Sequence, residues 1–432
     1  MLKRLILLGC ENLRAIKWGS IVESQSKLEF VCIDTRPGTW AQQPPPALQH
    51  ECSSRTLLLH AVLADVRLVR SLWNIIAREG KTSFDIQHGS YSAANNGEVV
   101  QCEATTRNEA TKPIGVQGRH CLASRRYTDV LGEMGDTPMT PLMEAFPELL
   151  AGRSDRHVEI TGGGHILERE LGGHVGVYCL ADVLQQHVES LHVHDASINM
   201  SMMTREWRDK PLRWLRVERC PNLGDSLFHL DVRGFGELEV VWVSELMMAR
   251  CLWSKGHVPW AHHNMLSFGS LRRLCLRSCP RLHYVLPLRA YNALNNLETI
   301  HVVHCGDLRH IFPLGEGCQS EDITNKGMEF PALTTIHLYD LPMLRGIFEV
   351  KTTFAPRLHS VRIRGCFNLR RLPAPVAVKK KAQGVRWPTR PTVEVEKDVW
   401  DALEWDGADV GHHPTYYEHY RQRGLLRRSV LR

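Results

Sequence analysis

Five cysteines, Cys10, Cys220, Cys279, Cys305 and Cys366, occupy one place in a recurring pattern. Thiols at fixed spacing raise two chemistries, metal ligation and redox pairing. Zinc sites draw on convergent ligands, commonly as CxxC or HxxxH pairs. The chain holds neither. Neighbouring strands lie about 5 Å apart, which makes a disulfide between repeats geometrically reachable. The cysteine count of thirteen is odd, however, and Leu5–Leu8 is too short an apolar core for a signal peptide. Reduced thiols are expected, buried as small apolar side chains with a weak donor.

The 23 histidines include the close pairs His192/His194, His262/His263, His301/His304 and His412/His413. On a strand, His192 and His194 share a face, and a converging third ligand would make them a metal site. No acidic or cysteine partner stands at a fixed spacing from them, so solvent-facing repeat side chains are expected, with no metal and no cofactor. Gly80-Lys81-Thr82 resembles the end of a GxxxxGK[ST] loop, but Ile75 stands where its first glycine belongs. The glycines at Gly162–Gly164 and Gly172–Gly173 have no GxGxxG register. GxSxG, HExxH and the kinase motifs are absent. Catalysis is not expected.

The elements that would position these residues are repeats. Leu271-Arg-Arg-Leu274-Cys-Leu276 leads to Cys279-Pro-Arg-Leu282, and Leu297-Glu-Thr-Ile300-His-Val302 leads to Cys305-Gly-Asp-Leu308. Copies follow at Leu333–Leu344 and Leu358–Leu369. Others precede at Leu212–Leu223 and Leu238–Leu246, with a weaker one at Val188, Leu191 and Val193. Leu2–Leu13 and Leu28–Ile33 fit the same template. The consensus LxxLxLxxCPxL, at starts mostly about 25 residues apart, is the leucine-rich repeat signature and period. Each unit supplies one short strand with an apolar inner face that only stacked neighbours can bury. The expected fold is therefore an α/β leucine-rich repeat solenoid, curved, with a parallel sheet on its concave side.

Four segments are expected. Residues 1–50 hold uncapped N-terminal repeats, and 51–185 hold irregular repeats with a long insertion over 87–139. Regular repeats fill 186–373, and 374–432 form a C-terminal cap and basic tail. Thr56–Ala77 is apolar at mixed helical spacing, Val158–Ile160 marks a degenerate unit, and Val393–Trp405 reads as a last strand and short helix. The first rung, entered at Leu2 without a polar capping unit, is expected to fray, self-associate or be covered. The 432 residues are 43% hydrophobic and 23% charged, which excludes wholesale disorder. No apolar run reaches the length of a membrane span. The net charge of +6 carries no dominating lysine block. Arg362, Arg364, Arg370, Arg371 and Lys379–Lys381 read as a solvated face beside a basic loop, and no nucleic-acid motif accompanies them.

From Leu212 onward, WLRVERCPNL, LRRLCLRSCPRLHYVLPL, LETIHVVHCGDLRHIFP, FPALTTIHLYDLPMLRGI, FAPRLHSVRIRGCFNLRRLP and DALEWDG resemble the leucine-rich repeat region of plant disease-resistance proteins. The similar group is the cereal coiled-coil, nucleotide-binding (NB-ARC), leucine-rich-repeat immune receptors, whose chain ends the tail GHHPTYYEHYRQRGLLRRSVLR also resembles. The family's nucleotide switch is not carried over, because its P-loop is missing here. The resemblance implies a non-catalytic, cytoplasmic recognition module. It would act as the sensor and autoinhibitory portion of a receptor. Its partner would be a pathogen effector, a guarded host protein or a receptor nucleotide-binding domain.

The period of two places Trp214, Arg216, Trp242, Arg273, Arg277, His301, His337, Tyr339, Arg362 and Arg364 on the concave, solvent-facing side. Trp, Tyr and Arg are the types enriched at interface hot spots. The alternative is a ubiquitin-ligase substrate adaptor or stand-alone scaffold on the same repeats. An adaptor calls for an F-box-like helical segment before the array.

Overall fold

The computed structural model describes residues 4–13, 15–16, 29–36, 57–63, 68, 71–72, 76, 82–89, 154, 156–162, 187–196, 212–221, 223–228, 235–253, 268–288, 294–314, 327–350, 352–375, 390–407 and 411–421. All belong to one unit, Met1–Ser90 with Gly152–Arg432. The second unit, Tyr91–Ala151, lies outside them. So do most of the expected insertion over 87–139, His262 and His263, the loop at Lys379–Lys381 and the end of the tail.

Each LxLx stretch is a strand because alternate apolar residues need one buried face, and a single repeat offers too little surface to bury it alone. Fourteen strands form one parallel sheet in chain order. They are Arg4–Leu8, Phe30–Asp34, Leu57–Leu63, Thr82–Gly89, Arg156–Thr161, Ser190–His194, Trp214–Glu218, Val240–Ser244, Arg273–Arg277, Thr299–Val303, Thr335–Tyr339, Ser360–Arg364, Thr392–Val395 and Glu418–Arg421. This is the leucine-rich repeat architecture, and one sheet runs through all four segments read from the sequence. The core lies on one side of it. Leu215, Val241, Leu274, Ile300, Ile336 and Val361 pair in register along one inner row, each at most 1% exposed. Short two-stranded sheets such as His310–Phe312 with Gly346–Phe348 add Ile311, Phe312, Ile347 and Phe348 to the same core.

A left-handed residue ends most rungs. Gly9, Gly162, Asp195, Arg219, Glu245, Ser278, His304, Asp340 and Gly365 each follow a strand directly and have φ between 47° and 73°. This conformation turns the chain off the sheet while keeping its N–H in the ladder. Arg219 donates to the Ser244 carbonyl at 3.1 Å, Ser278 to Val303 at 2.9 Å and Asp340 to Arg364 at 2.8 Å. The recurring cysteine sits just beyond. Its thiol donates back to the carbonyl two residues earlier, from Cys220 to Glu218 at 3.2 Å and from Cys305 to Val303 at 3.5 Å. The sulfur satisfies a carbonyl at the bend while filling apolar space, which is why one residue type recurs there.

Three sequence readings change. The stretch read as helical spacing over Thr56–Ala77 holds the strand Leu57–Leu63, and among its described residues Leu68, Ser71, Leu72 and Ile76 are helical. Leucine at Leu57, Leu58 and Leu59 removes the alternation that marks a half-buried strand, so the segment imitates a helix in sequence. The strand Thr82–Gly89 takes up the expected start of the insertion over 87–139, the rest of which lies outside the described residues. At the other end, a strand and the short helix Lys397–Asp401 follow as read, but the sheet then adds Glu418–Arg421. Tyr417 anchors that last segment, its hydroxyl donating to the Pro373 carbonyl at 3.0 Å.

Candidate functional site

The outer face of the sheet carries rows of side chains at matched heights. The middle row runs Glu159, His192, Arg216, Trp242, Cys275, His301, His337, Arg362, Glu394. The row beside it runs His194, Glu218, Ser244, Arg277, Val303, Tyr339, Arg364. The third holds Asp85, His157, Ser190, Trp214, Val240 and Arg273. All ten residues expected on this face therefore stand on it.

Their exposure departs from expectation. Arg273, Arg277, Tyr339, Arg362 and Arg364 are half-buried. Trp214, Arg216, Trp242, His301 and His337 are buried, between 2% and 6% exposed. Lateral packing contributes to this. Side chains at one height on adjacent parallel strands stand about 4.8 Å apart and shield one another when large. The Arg216 guanidinium lies 5.9 Å from the Trp242 ring centre, His157 meets Trp214 edge-on at 5.9 Å, and His301 meets His337 edge-on at 4.5 Å. Trp242 and Cys275 are buried yet outside the continuous leucine core, which confirms that the strand faces are assigned the right way round.

Charge concentrates at the strands Arg156–Thr161, Ser190–His194 and Trp214–Glu218. Glu218, 4% exposed, accepts from Arg216 Nη2 at 2.8 Å and from the Ser244 hydroxyl at 2.8 Å. His192 Nε2 lies 3.2 Å from its Oε2. Burial alone would raise the Glu218 carboxyl, but the His192 hydrogen bond and the Arg216 charge outweigh it and hold the group well below the usual carboxylate range. Glu159 faces both histidines, 2.8 Å from His194 Nε2 and 3.6 Å from His192 Nδ1. Burial raises it, and the His194 hydrogen bond with the neighbouring imidazoles brings it down to about 2. His194 is pulled the other way. Burial lowers it, yet hydrogen bonds to Asp195 and Glu159 carry it up to about 9. His192 is lowered by burial, with help from the Arg216 charge. The convergence of Glu159 on the pair was invisible in sequence, because no metal-ligand spacing links Glu159 to His192, 33 positions further on.

Further along, burial pushes His301 down to about 3 and His337 to about 4, keeping both neutral. Arg362 Nε pairs with Glu394 at 3.3 Å, and the Arg364 guanidinium lies 5.5 Å from the Tyr339 ring centre. His157 Nδ1 meets the Ser190 hydroxyl at 2.9 Å. A serine that is 0% exposed offers no nucleophile to a substrate, so this pair serves the sheet. Among the described residues, no helix is long and apolar enough to cross a membrane.

Residues 252–382 match a family model described as plant disease resistance protein RPS2-like, leucine-rich repeats. The matched span includes the strands from Arg273–Arg277 to Ser360–Arg364. Searches of curated proteins and of solved structures return no match.

Proposed function

We propose that this chain is a non-catalytic protein-recognition module of plant innate immunity, acting in the cytoplasm as the sensor and autoinhibitory repeat region of a disease-resistance receptor. The match over 252–382 supports the family. The observation that carries the reading is the half-buried set Arg277, Tyr339 and Arg364, at one height on the outer face within the matched span. Half-exposed Arg and Tyr on a rigid sheet can grip a partner at small conformational cost, since their strands are already ordered. The partner is a protein: a pathogen effector, a guarded host protein or a receptor nucleotide-binding domain. Met247, Met248, Met343 and Phe367, each at least 40% exposed at the rung turns, add adaptable apolar contacts of the kind used at recognition surfaces.

The test is paired affinity capture from leaf tissue expressing the wild-type chain or the double variant Arg277→Glu/Arg364→Glu. A specific plant protein retained by the wild type and lost from the variant, at unchanged melting temperature, supports the assignment. Capture unaffected by the charge reversals removes this face from recognition. Recovery of ligase scaffold subunits instead would favour the adaptor reading.

A further inference from the structure

We propose that Glu159, His192 and His194 form a binding site for a divalent transition metal of the zinc type, bridging two adjacent rungs. One donor atom from each lies within 4.8 Å of the other two. Ligands bonded to zinc at about 2.0–2.2 Å in a tetrahedral arrangement stand about 3.3–3.5 Å apart. The observed 2.8 Å from His194 Nε2 to Glu159 Oε1, and 3.6 Å from His192 Nδ1 to the same oxygen, bracket that spacing. An ion entering there displaces the proton that His194 Nε2 shares with Glu159, which leaves to solvent, and a small rotation of the carboxylate fits the ion between them.

Proximity of three polar groups is common, but the way these imidazoles are aimed is not. A metal-ligating histidine characteristically gives its other ring nitrogen to a carboxylate, which fixes the tautomer and turns the free lone pair toward the ion. Both histidines do so here. His194 Nδ1 bonds Asp195 Oδ2 at 2.9 Å, leaving Nε2 for Glu159. His192 Nε2 lies 3.2 Å from Glu218 Oε2, leaving Nδ1 for Glu159. The rings stack at 4.5 Å with their planes 30° apart. The orienting carboxylates are fixed in turn. Arg219 holds both oxygens of Asp195, and Glu218 is held by Arg216 and Ser244.

Charge and access agree. Among the described residues no lysine or arginine pairs with Glu159, so its balancing charge comes from imidazoles. The nearest guanidinium in register, Arg216, spends its charge on Glu218. The side chains of His192, His194 and Glu159 are 13%, 18% and 24% exposed, which leaves a coordination position open to water or to a side chain of a bound protein. Two imidazole nitrogens and one carboxylate suit zinc and its neighbours rather than calcium or magnesium.

The experiment titrates Zn2+ alone into the tag-free, chelator-treated full chain by calorimetry, with Co2+ absorbance as a second readout. One tight equivalent is expected, with the intense visible bands of four-coordinate Co2+. Glu159→Gln, which keeps the side-chain shape, should weaken binding at least tenfold. Asp195→Asn, which removes the carboxylate that orients His194 and is itself held by Arg219, should weaken it about 10–100-fold. His304→Ala, a histidine paired elsewhere with Asp340, should leave it unchanged. Absence of a saturable equivalent overturns the proposal. So does Zn2+ binding that survives Glu159→Gln and Asp195→Asn in variants with native circular dichroism, because the ion would then sit on other histidines.

Discussion

Arg219 grips Asp195 at two points, Nε to Oδ1 at 2.8 Å and Nη2 to Oδ2 at 2.9 Å, although both residues adopt left-handed backbone at the ends of consecutive rungs. The left-handed turn swings both side chains to the same edge of the sheet and at the same height. A conformation that costs about 1–2 kcal/mol in any residue with a Cβ thus also produces a bidentate ion pair, and that pair fixes the carboxylate on His194.

Two left-handed glycines give a direct stability comparison. A Cβ built on Gly365, at φ +69°, meets the Asp340 backbone at 3.3 and 3.4 Å, whereas one on Gly224, at φ +72°, meets nothing within 4 Å. Both alanine variants carry the left-handed strain, and only Gly365→Ala adds a contact with a neighbouring main chain. Urea denaturation should show Gly224→Ala costing about 1–2 kcal/mol and Gly365→Ala costing more. Equal losses would mean that the rung spacing relaxes freely there.

Trp242 and Leu276 stand on opposite faces of adjacent strands. Leu276→Ala should cost about 2–5 kcal/mol by leaving a cavity in the continuous core. From sequence alone, Trp242→Ala would be expected to be nearly silent. With its ring 6% exposed and against Arg216, a loss above 1 kcal/mol is expected instead. An unchanged melting temperature would show that the indole is solvated.

Stability should pass through a maximum near the ordinary histidine value. His301 and His337 have lowered values, about 3 and 4. Their contribution is complete above pH 6.5 and is lost as pH falls toward those values, because the unfolded chain binds protons first. His194 is raised to about 9, so its contribution is complete below 6.5 and is lost as pH climbs through 9. The lowered carboxylates of Glu159 and Glu218 contribute above their ordinary value near 4.5 and lose that contribution only below it. Urea midpoints against pH, in chelator, should fall on both sides. His337→Gln should flatten the acid limb between pH 4 and 6.5, and His194→Gln the alkaline one. A limb left intact by its variant refutes that assignment.

Thiol reactivity should divide by position. Burial pushes Cys220 up to about 11 and Cys366 to about 12, and raises Cys275 likewise. A thiol so placed presents little thiolate at pH 8 and no access. Ellman's reagent should therefore react slowly with these three in the native chain and rapidly in urea, while the half-buried Cys10 reacts sooner. Rapid native labelling of Cys220 or Cys366 would contradict the rung register.

The strands from Trp214–Glu218 to Ser360–Arg364 were legible because each shows two aliphatic residues two apart, followed by cysteine or leucine at a constant offset, and packing in a stacked rung tolerates little else. The strands Leu57–Leu63 and Thr82–Gly89 were not. Leu57-Leu58-Leu59 lacks alternation, and the next strand has Asp85 and Gln87 outward without the flanking cysteine. The outer face was legible as a list of residues but not as an environment. Sequence assigns Arg216 to a surface, and only the register shows Trp242 on one side of it and His192 on the other. Glu159 escaped notice for the same reason, since a partner across a sheet has no signature along the chain.

The order of strands in the sheet has a mechanical consequence. Within the fourteen-stranded sheet each strand bonds only to the sheet strands before and after it in chain order, so tension on one end of the chain loads that sheet a single rung at a time. Extension should proceed as a train of small, similar force peaks. Most would release about 25–35 residues, roughly 80–120 Å of contour. A bound ion across Arg156–Thr161 and Ser190–His194 would stand out in such a trace as one peak higher than its neighbours, so that a single-molecule pulling record could locate a chemical crosslink by its place in the sequence of steps.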